Sequence, residues 1–134
     1  MEPRKKILVI DDDKDILFSA KIILEQGGYE VFLAADGKTG IEIWRSVCPD
    51  LAIVDMMMES WSEGFSVIER IRSMDSGKRK PLFMLSSIDL HGEYPPFKLA
   101  SPLVDRVLHK PVKAEDLLAY VGNALGMEGK KKHP

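Results

Sequence analysis

Ile7-Leu8-Val9-Ile10-Asp11-Asp12-Asp13 joins a short apolar run directly to three consecutive acids. A run rich in β-branched residues reads as a buried strand, so the carboxylates stand where that strand ends and the chain turns. Crowded there, they repel one another. Two carboxylates about 4 Å apart cost on the order of 4 kcal/mol at an effective dielectric of about 20, unless a positive charge relieves them. A divalent cation meets that need. The junction taken alone also has a plainer reading, in which one aspartate caps a helix and the others face water.

Outward from this stretch, strands and helices alternate. Ile16, Leu17, Ala20, Ile23 and Leu24 recur at helical spacing until Gly27-Gly28, a helix with its stop signal. Tyr29 to Ala34 reads as a second strand, and Asp36 as the cap of a helix carrying Ile41, Ile43 and Trp44 and ending before Pro49. Leu51-Ala52-Ile53-Val54 is a third strand running into Asp55. A polar loop then leads to Phe65, Ile68 and Ile71, one face of a helix closed near Ser76-Gly77. Leu82-Phe83-Met84-Leu85 is a fourth strand ending in Ser86 and Ser87. The stretch 89–102, broken by Gly92, Pro95, Pro96 and Pro102, allows only short helical pieces. Val104 to Leu108 is a fifth strand ending near Lys110-Pro111, and Leu117, Leu118, Val121 and Leu125 line a last helix stopping at Gly126.

The 134 residues fit one domain, expected over 1–126, with 127–134 as a basic tail or the start of a linker. A formal charge of −2 and scattered Lys and Arg argue against direct nucleic-acid binding. The single cysteine, Cys48, excludes an intramolecular disulfide and a multi-cysteine metal site, suits a reducing compartment, and is expected to be a packed thiol. No run approaches export or membrane-span length, so a cytoplasmic protein without membrane contact is expected.

Strands separated by helix-length segments imply right-handed crossovers and a parallel sheet with helices on both faces. All strand C-termini then share one edge, where ligands bind. On that edge fall Asp11, Asp12 and Asp13 after the first strand, Asp55 after the third, Ser86 after the fourth and Lys110 after the fifth. Acid pair, acid, hydroxyl and lysine together make a site for a metal and an anion.

From Ile7-Leu8-Val9-Ile10-Asp11-Asp12-Asp13 through Asp55 and Ser86 to Lys110-Pro111, the chain resembles the receiver domain of bacterial two-component response regulators. The resemblance implies a flavodoxin-like, doubly wound, five-stranded parallel sheet of order 2-1-3-4-5; the proline-bearing stretch 89–102 stands where the family's fourth helix would be, so an irregular fourth helix region and a remodelled output face are expected. It implies that Asp55 accepts a phosphoryl group from the phosphohistidine of a sensor histidine kinase or histidine phosphotransfer protein. The domain would then switch conformation to control a downstream effector protein or domain, and would not be an enzyme acting on a separate substrate. By the same matching, Mg²⁺ or another divalent cation is held by Asp11, Asp12, Asp55 and the backbone carbonyl of Met57. Lys110 pairs with the phosphoryl group, beside a Pro111 peptide that the family often has in cis. Ser86 donates its hydroxyl, with Ser87 as its rival. Asp13 is expected to cap the first helix or stay solvated.

The chain departs from the family pattern in places. Glu59 stands where a proline is common, and Gly64 comes about one residue late, after Ser60-Trp61-Ser62-Glu63. Glu59 and Glu63 are expected to add negative charge near the acceptor, and Trp61 to act as an exposed contact or lid, or simply to pack. Val107 replaces the usual aromatic residue, with Tyr94 or Phe97 as substitutes. Met57 and Ile88, both apolar where the family's hydrolysing water passes, imply slow autodephosphorylation.

Other classes fit less well. An aspartyl phosphatase would have a second acid two residues after Asp55, where Met57 stands. A metal-dependent nuclease would use Asp11 and Asp13 but leave Asp55, Ser86 and Lys110 unexplained. A dinucleotide-binding module would have a glycine-rich turn where the acids are. The remaining alternative is a receiver-like interaction module that signals without phosphorylation.

Overall fold

The computed structural model describes residues 3–56, 58, 60–75, 77–87 and 95–126, with backbone alone for 95–97. Expectations placed on Met57, Glu59, Ile88, Tyr94, the Phe97 side chain and residues 127–134 fall outside this description. The elements are β1 Lys6–Ile10, α1 Lys14–Gln26, β2 Glu30–Ala34, α2 Gly37–Val47, β3 Leu51–Asp55, α3 Trp61–Ser73, β4 Leu82–Ser86, α4 Pro95–Ala100, β5 Arg106–His109 and α5 Ala114–Ala124. A 3-10 turn, Ser101–Leu103, follows α4.

The five strands form one parallel sheet in the order β2-β1-β3-β4-β5, the doubly wound arrangement implied by the family resemblance. β3 and β4 are buried along their full length, as is β1 beyond its first residue, Lys6, because helices cover both faces of the sheet. Alternate residues serve the two faces. Leu8, Ile10, Ala52, Val54 and Met84 pack toward α2 and α3, while Ile7, Val9, Ile53, Phe83 and Leu85 pack toward α1 and α5. Apart from Ala52, each such side chain contributes about 1.5–3 kcal/mol of burial free energy.

Helix starts follow their caps. The Asp13 carboxylate accepts from the N–H of Asp15 at 2.9 Å and of Ile16 at 3.4 Å, and Asp36 accepts from Thr39 N–H at 2.7 Å. α3 begins at Trp61, one turn before the apolar face beginning at Phe65 that located this helix in the sequence. Ser60 caps it by accepting from Glu63 N–H at 3.4 Å, the Ser-x-x-Glu signature of a capping box. Trp61 is therefore a helical residue, 36% exposed, with its ring 6.1 Å from that of Phe65 one turn on.

β5 starts at Arg106, two residues later than expected. Asp105 is held just before it by its N–H to Leu82 O and by its carboxylate to Leu82 N–H, both at 2.8 Å. Arg72 on α3 secures the same corner, donating to Leu103 O and Lys80 O at 2.7 Å and to Asp105 at 2.8 Å. The region broken by prolines holds a short helix and a 3-10 turn, as its composition allowed.

Cys48 corrects an expectation. It is exposed rather than packed, because it is the C-cap of α2 in left-handed conformation (φ 56°, ψ 60°), where the chain turns toward Pro49.

Candidate functional site

Sheet register brings the strand ends into line. Ile10 pairs with Val54, so Asp11 and Asp55 emerge side by side; Asp55 pairs with Leu85, and Ser86 with His109. Ser86 and Lys110 thus stand successively further along the same edge. Backbone hydrogen bonds anchor each member: Asp11 N–H donates to Ala34 O at 3.0 Å, Met56 N–H to Leu85 O at 2.8 Å, and Lys110 N–H to Ser86 O at 2.7 Å.

β5 lies two strand spacings from β3, about 10 Å, and the Lys110 side chain crosses that gap. Its ammonium lies 3.0 Å from Asp11 Oδ2 and 3.3 Å from Asp55 Oδ1. The peptide between Lys110 and Pro111 is cis. Burial pulls the Lys110 pKa down, but the neighbouring Asp11 and Asp55 carboxylates outweigh it and hold the ammonium above its ordinary range.

The three acids of the opening stretch have separate environments. Asp11 is wholly buried, and its Oδ1 accepts from Asp13 N–H at 2.9 Å. Its Oδ2 is buried without a hydrogen bond, with the ammonium as charge partner. Asp12 is exposed, and Asp13 is spent on its cap. Carboxylate oxygens of Asp11, Asp12 and Asp55 lie within 4.8 Å of one another. A buried carboxylate oxygen whose one polar partner among the described residues is the Lys110 ammonium, in an all-oxygen cluster of this size, suits a hard divalent cation. Ser86 is buried beside them, whereas Ser87 is exposed.

Two contributors were not recognised as such in the sequence. A Cβ on Gly64 would fall 2.7 Å from Asp55 O and closer still to Met56 O, so glycine lets the first turn of α3 lie directly on the backbone that presents Asp55. Glu63 accepts from Gly37 N–H at 3.2 Å, placing its carboxylate at the N-terminus of α2, where the helix dipole favours it. Glu63 is thereby engaged in joining α3 to α2. The capping-box spacing from Ser60 was the available sequence signal; nothing local identified Gly37 as a partner.

The family model of the response regulator receiver domain matches residues 7–122. The chain belongs to this family. Curated relatives of this receiver domain include the DNA-binding dual master transcriptional regulator RpaA of Synechocystis, 33% identical over 87% of this chain and 47% of that protein. The transcriptional regulatory protein DltR of Streptococcus agalactiae is 31% identical over 87% of this chain and 50% of its own length. The sensor histidine kinase TmoS of Ectopseudomonas mendocina is 31% identical over 92% of this chain but only 12% of its own. The chain thus spans about half the length of the two regulators. Among solved structures, a CheY-like receiver domain from Methanospirillum hungatei superposes with a TM-score of 0.82 at 28% identity, covering 96% of this chain and 99% of that one. A receiver domain from Clostridium thermocellum gives 0.76 at 32% identity, covering 95% and 97%.

The family is a signalling domain of two-component systems. Among the described residues no helix is long and apolar enough to cross a membrane.

Proposed function

We propose that this receiver domain accepts a phosphoryl group on Asp55 and controls a downstream effector protein through the conformational change that follows. The donor is the phosphohistidine of a sensor histidine kinase or histidine phosphotransfer protein, acting in the cytoplasm. The observation that carries this reading is the Lys110 ammonium set between Asp11 and Asp55, at 3.0 and 3.3 Å, in a carboxylate cluster that Asp12 completes.

In the transfer, a carboxylate oxygen of Asp55 forms a bond to phosphorus while the bond from phosphorus to the donor imidazole nitrogen breaks, the electron pair leaving with the imidazole. The product is an acyl phosphate. Such transfers rest on positioning and charge neutralisation rather than on covalent help from the protein. Mg²⁺, held by Asp11, Asp12 and Asp55 and by the Met57 carbonyl that the resemblance implies, supplies positive charge to the phosphoryl oxygens when bound. Lys110 supplies a second cation from the protein itself. Ser86, at the end of β4 beside the β3 end that carries Asp55, donates its hydroxyl to the new phosphoryl oxygens in this reading.

The acyl phosphate adds negative charge that the ammonium and hydroxyl satisfy only after moving toward it, which biases a two-state equilibrium. Inverting such an equilibrium takes about 5.5 kcal/mol of differential interaction, within reach of two or three charge-assisted hydrogen bonds at about 1.5–3 kcal/mol each.

Incubation with acetyl phosphate and Mg²⁺, followed by intact-mass measurement, tests the proposal. A phosphoryl mass gain in the native protein that disappears in Asp55→Asn is expected. Without any Asp55-dependent gain, the chain is instead an interaction module that signals by binding alone.

A further inference from the structure

The cations that look scattered along the chain are gathered by the fold. Lys5 directly precedes β1, Lys78-Arg79-Lys80 lie just before β4, and Arg45 is in the last turn of α2. All belong to the sheet edge where strands begin, opposite Asp55. Two clefts open there and share Lys78 and Lys80. One, of about 460 Å³, sets Lys5, Lys78, Arg79 and Lys80 around Pro81 and Leu125; the other, of about 360 Å³, sets Arg45, Lys78 and Lys80 around Trp44 and Met74.

The acids in these clefts are already engaged. Asp50 accepts from Lys6 N–H at 2.7 Å, Asp75 pairs with Arg72 at 3.4 Å, and Asp105 pairs with Arg72 and Arg79 while accepting from Leu82 N–H. Lys80 donates to Pro49 O at 2.7 Å and lies 5.3 Å from the Trp44 ring centre. By contrast, Lys5, Arg45 and Lys78 are exposed and have no carboxylate at ion-pair distance among the described residues. A local excess of positive charge rims apolar floors in a chain whose formal net charge is −2.

We propose that this edge docks a short acidic peptide segment of a protein partner, its carboxylates on Lys5, Lys78 and Arg45 and its apolar side chains in the clefts. The apolar floors favour a peptide over a phosphate backbone. Net charge favours it too: a long polyanion meets the acidic remainder of the molecule, whereas a short segment sees only charges within about one Debye length, roughly 8–10 Å. This surface is separate from the phosphoryl chemistry of Asp55.

Anisotropy of a fluorescein-labelled peptide of Glu-Glu-Leu repeats, titrated with the full chain, tests the inference. The peptide is expected to bind more tightly than its Gln-for-Glu analogue and more weakly as salt rises. Lys5→Glu/Lys78→Glu is expected to weaken binding at least about tenfold, and Lys78→Gln about threefold, while Lys38→Glu/Arg70→Glu on the α2–α3 face changes it less than about twofold. Unaltered melting of each variant establishes that it is folded. Equal loss in both double variants, or no preference over the Gln analogue, overturns the proposal. So does tighter binding of labelled duplex DNA with the same Lys5 and Lys78 dependence, which makes the edge a nucleic-acid surface.

Discussion

The Lys110 ammonium lies 3.0 Å from Asp11 Oδ2, a wholly buried oxygen with no other polar partner among the described residues. The same ammonium serves Asp55 at 3.3 Å. With Asp12 completing the cluster, three carboxylates stand against one ammonium among the described residues, a formal excess of two negative charges there. A divalent cation neutralises that excess, and the buried oxygen offers it a ligand.

Mg²⁺ is therefore expected to stabilise the folded state. At about ten times its dissociation constant, the gain is about 1.4 kcal/mol. Asp12→Ala, at an exposed position beside two other carboxylates, relieves their repulsion and is expected to raise metal-free stability by about 1 kcal/mol, while removing most of the Mg²⁺ response. Urea unfolding with and without Mg²⁺ measures both; an undiminished response in the variant would show that Asp12 is not a ligand.

Lys110→Met leaves Asp11 and Asp55 facing each other without their ammonium. The side chain retains 18% exposure, so the expected loss is about 3 kcal/mol, the lower end for a broken buried pair. Mg²⁺ should restore part of it. In the native protein the raised Lys110 pKa makes this contribution fully present below the ordinary 10.5 and lost as pH rises through the higher folded value.

Gly64→Ala puts a methyl group against the carbonyls of Asp55 and Met56. Backbone cannot rotate away as a side chain can, so α3 must shift, at a cost of about 1–3 kcal/mol. Because the shift displaces the backbone presenting Asp55, phosphoryl labelling should slow even where the variant is fully folded. Folded Gly64→Ala labelled at the native rate would show that this contact does not position the acceptor.

Asp36 gives a prediction in pH. The backbone N–H of Thr39 holds its carboxyl below the ordinary 3.8. A lowered folded pKa contributes stability above 3.8 that is lost as pH falls through the folded value. Asp36→Ala should cost about 1 kcal/mol at neutral pH, as for other N-caps, and the gap from native should close in acid. A gap that persists there assigns the loss to packing instead.

Much of the site was legible because its signals are local. Apolar runs ending in Asp11, Asp55, Ser86 and Lys110 need no long-range information to be read, and parallel strands put all such ends on one edge. The Asp36 cap was legible for the same reason. Cys48 was not: whether a helix-terminal side chain packs depends on where the turn after it sends the chain. The role of Gly64 was equally hidden, since a missing Cβ signifies something only once α3 is laid on the β3 end.

By itself, then, the sequence determined the alternation of elements, the parallel sheet and the residue types along its C-terminal edge, because hydrophobic period and helix caps act over a few residues. Tertiary structure decided what separates Asp11 from Asp12, the one buried against Lys110 and the other exposed, and chose the cap over solvation for Asp13. It also decided that Lys5 and Lys78, far apart in the chain, share one cleft. Burial and charge pairing depend on distances between residues remote in sequence, and sheet register and helix packing set those distances.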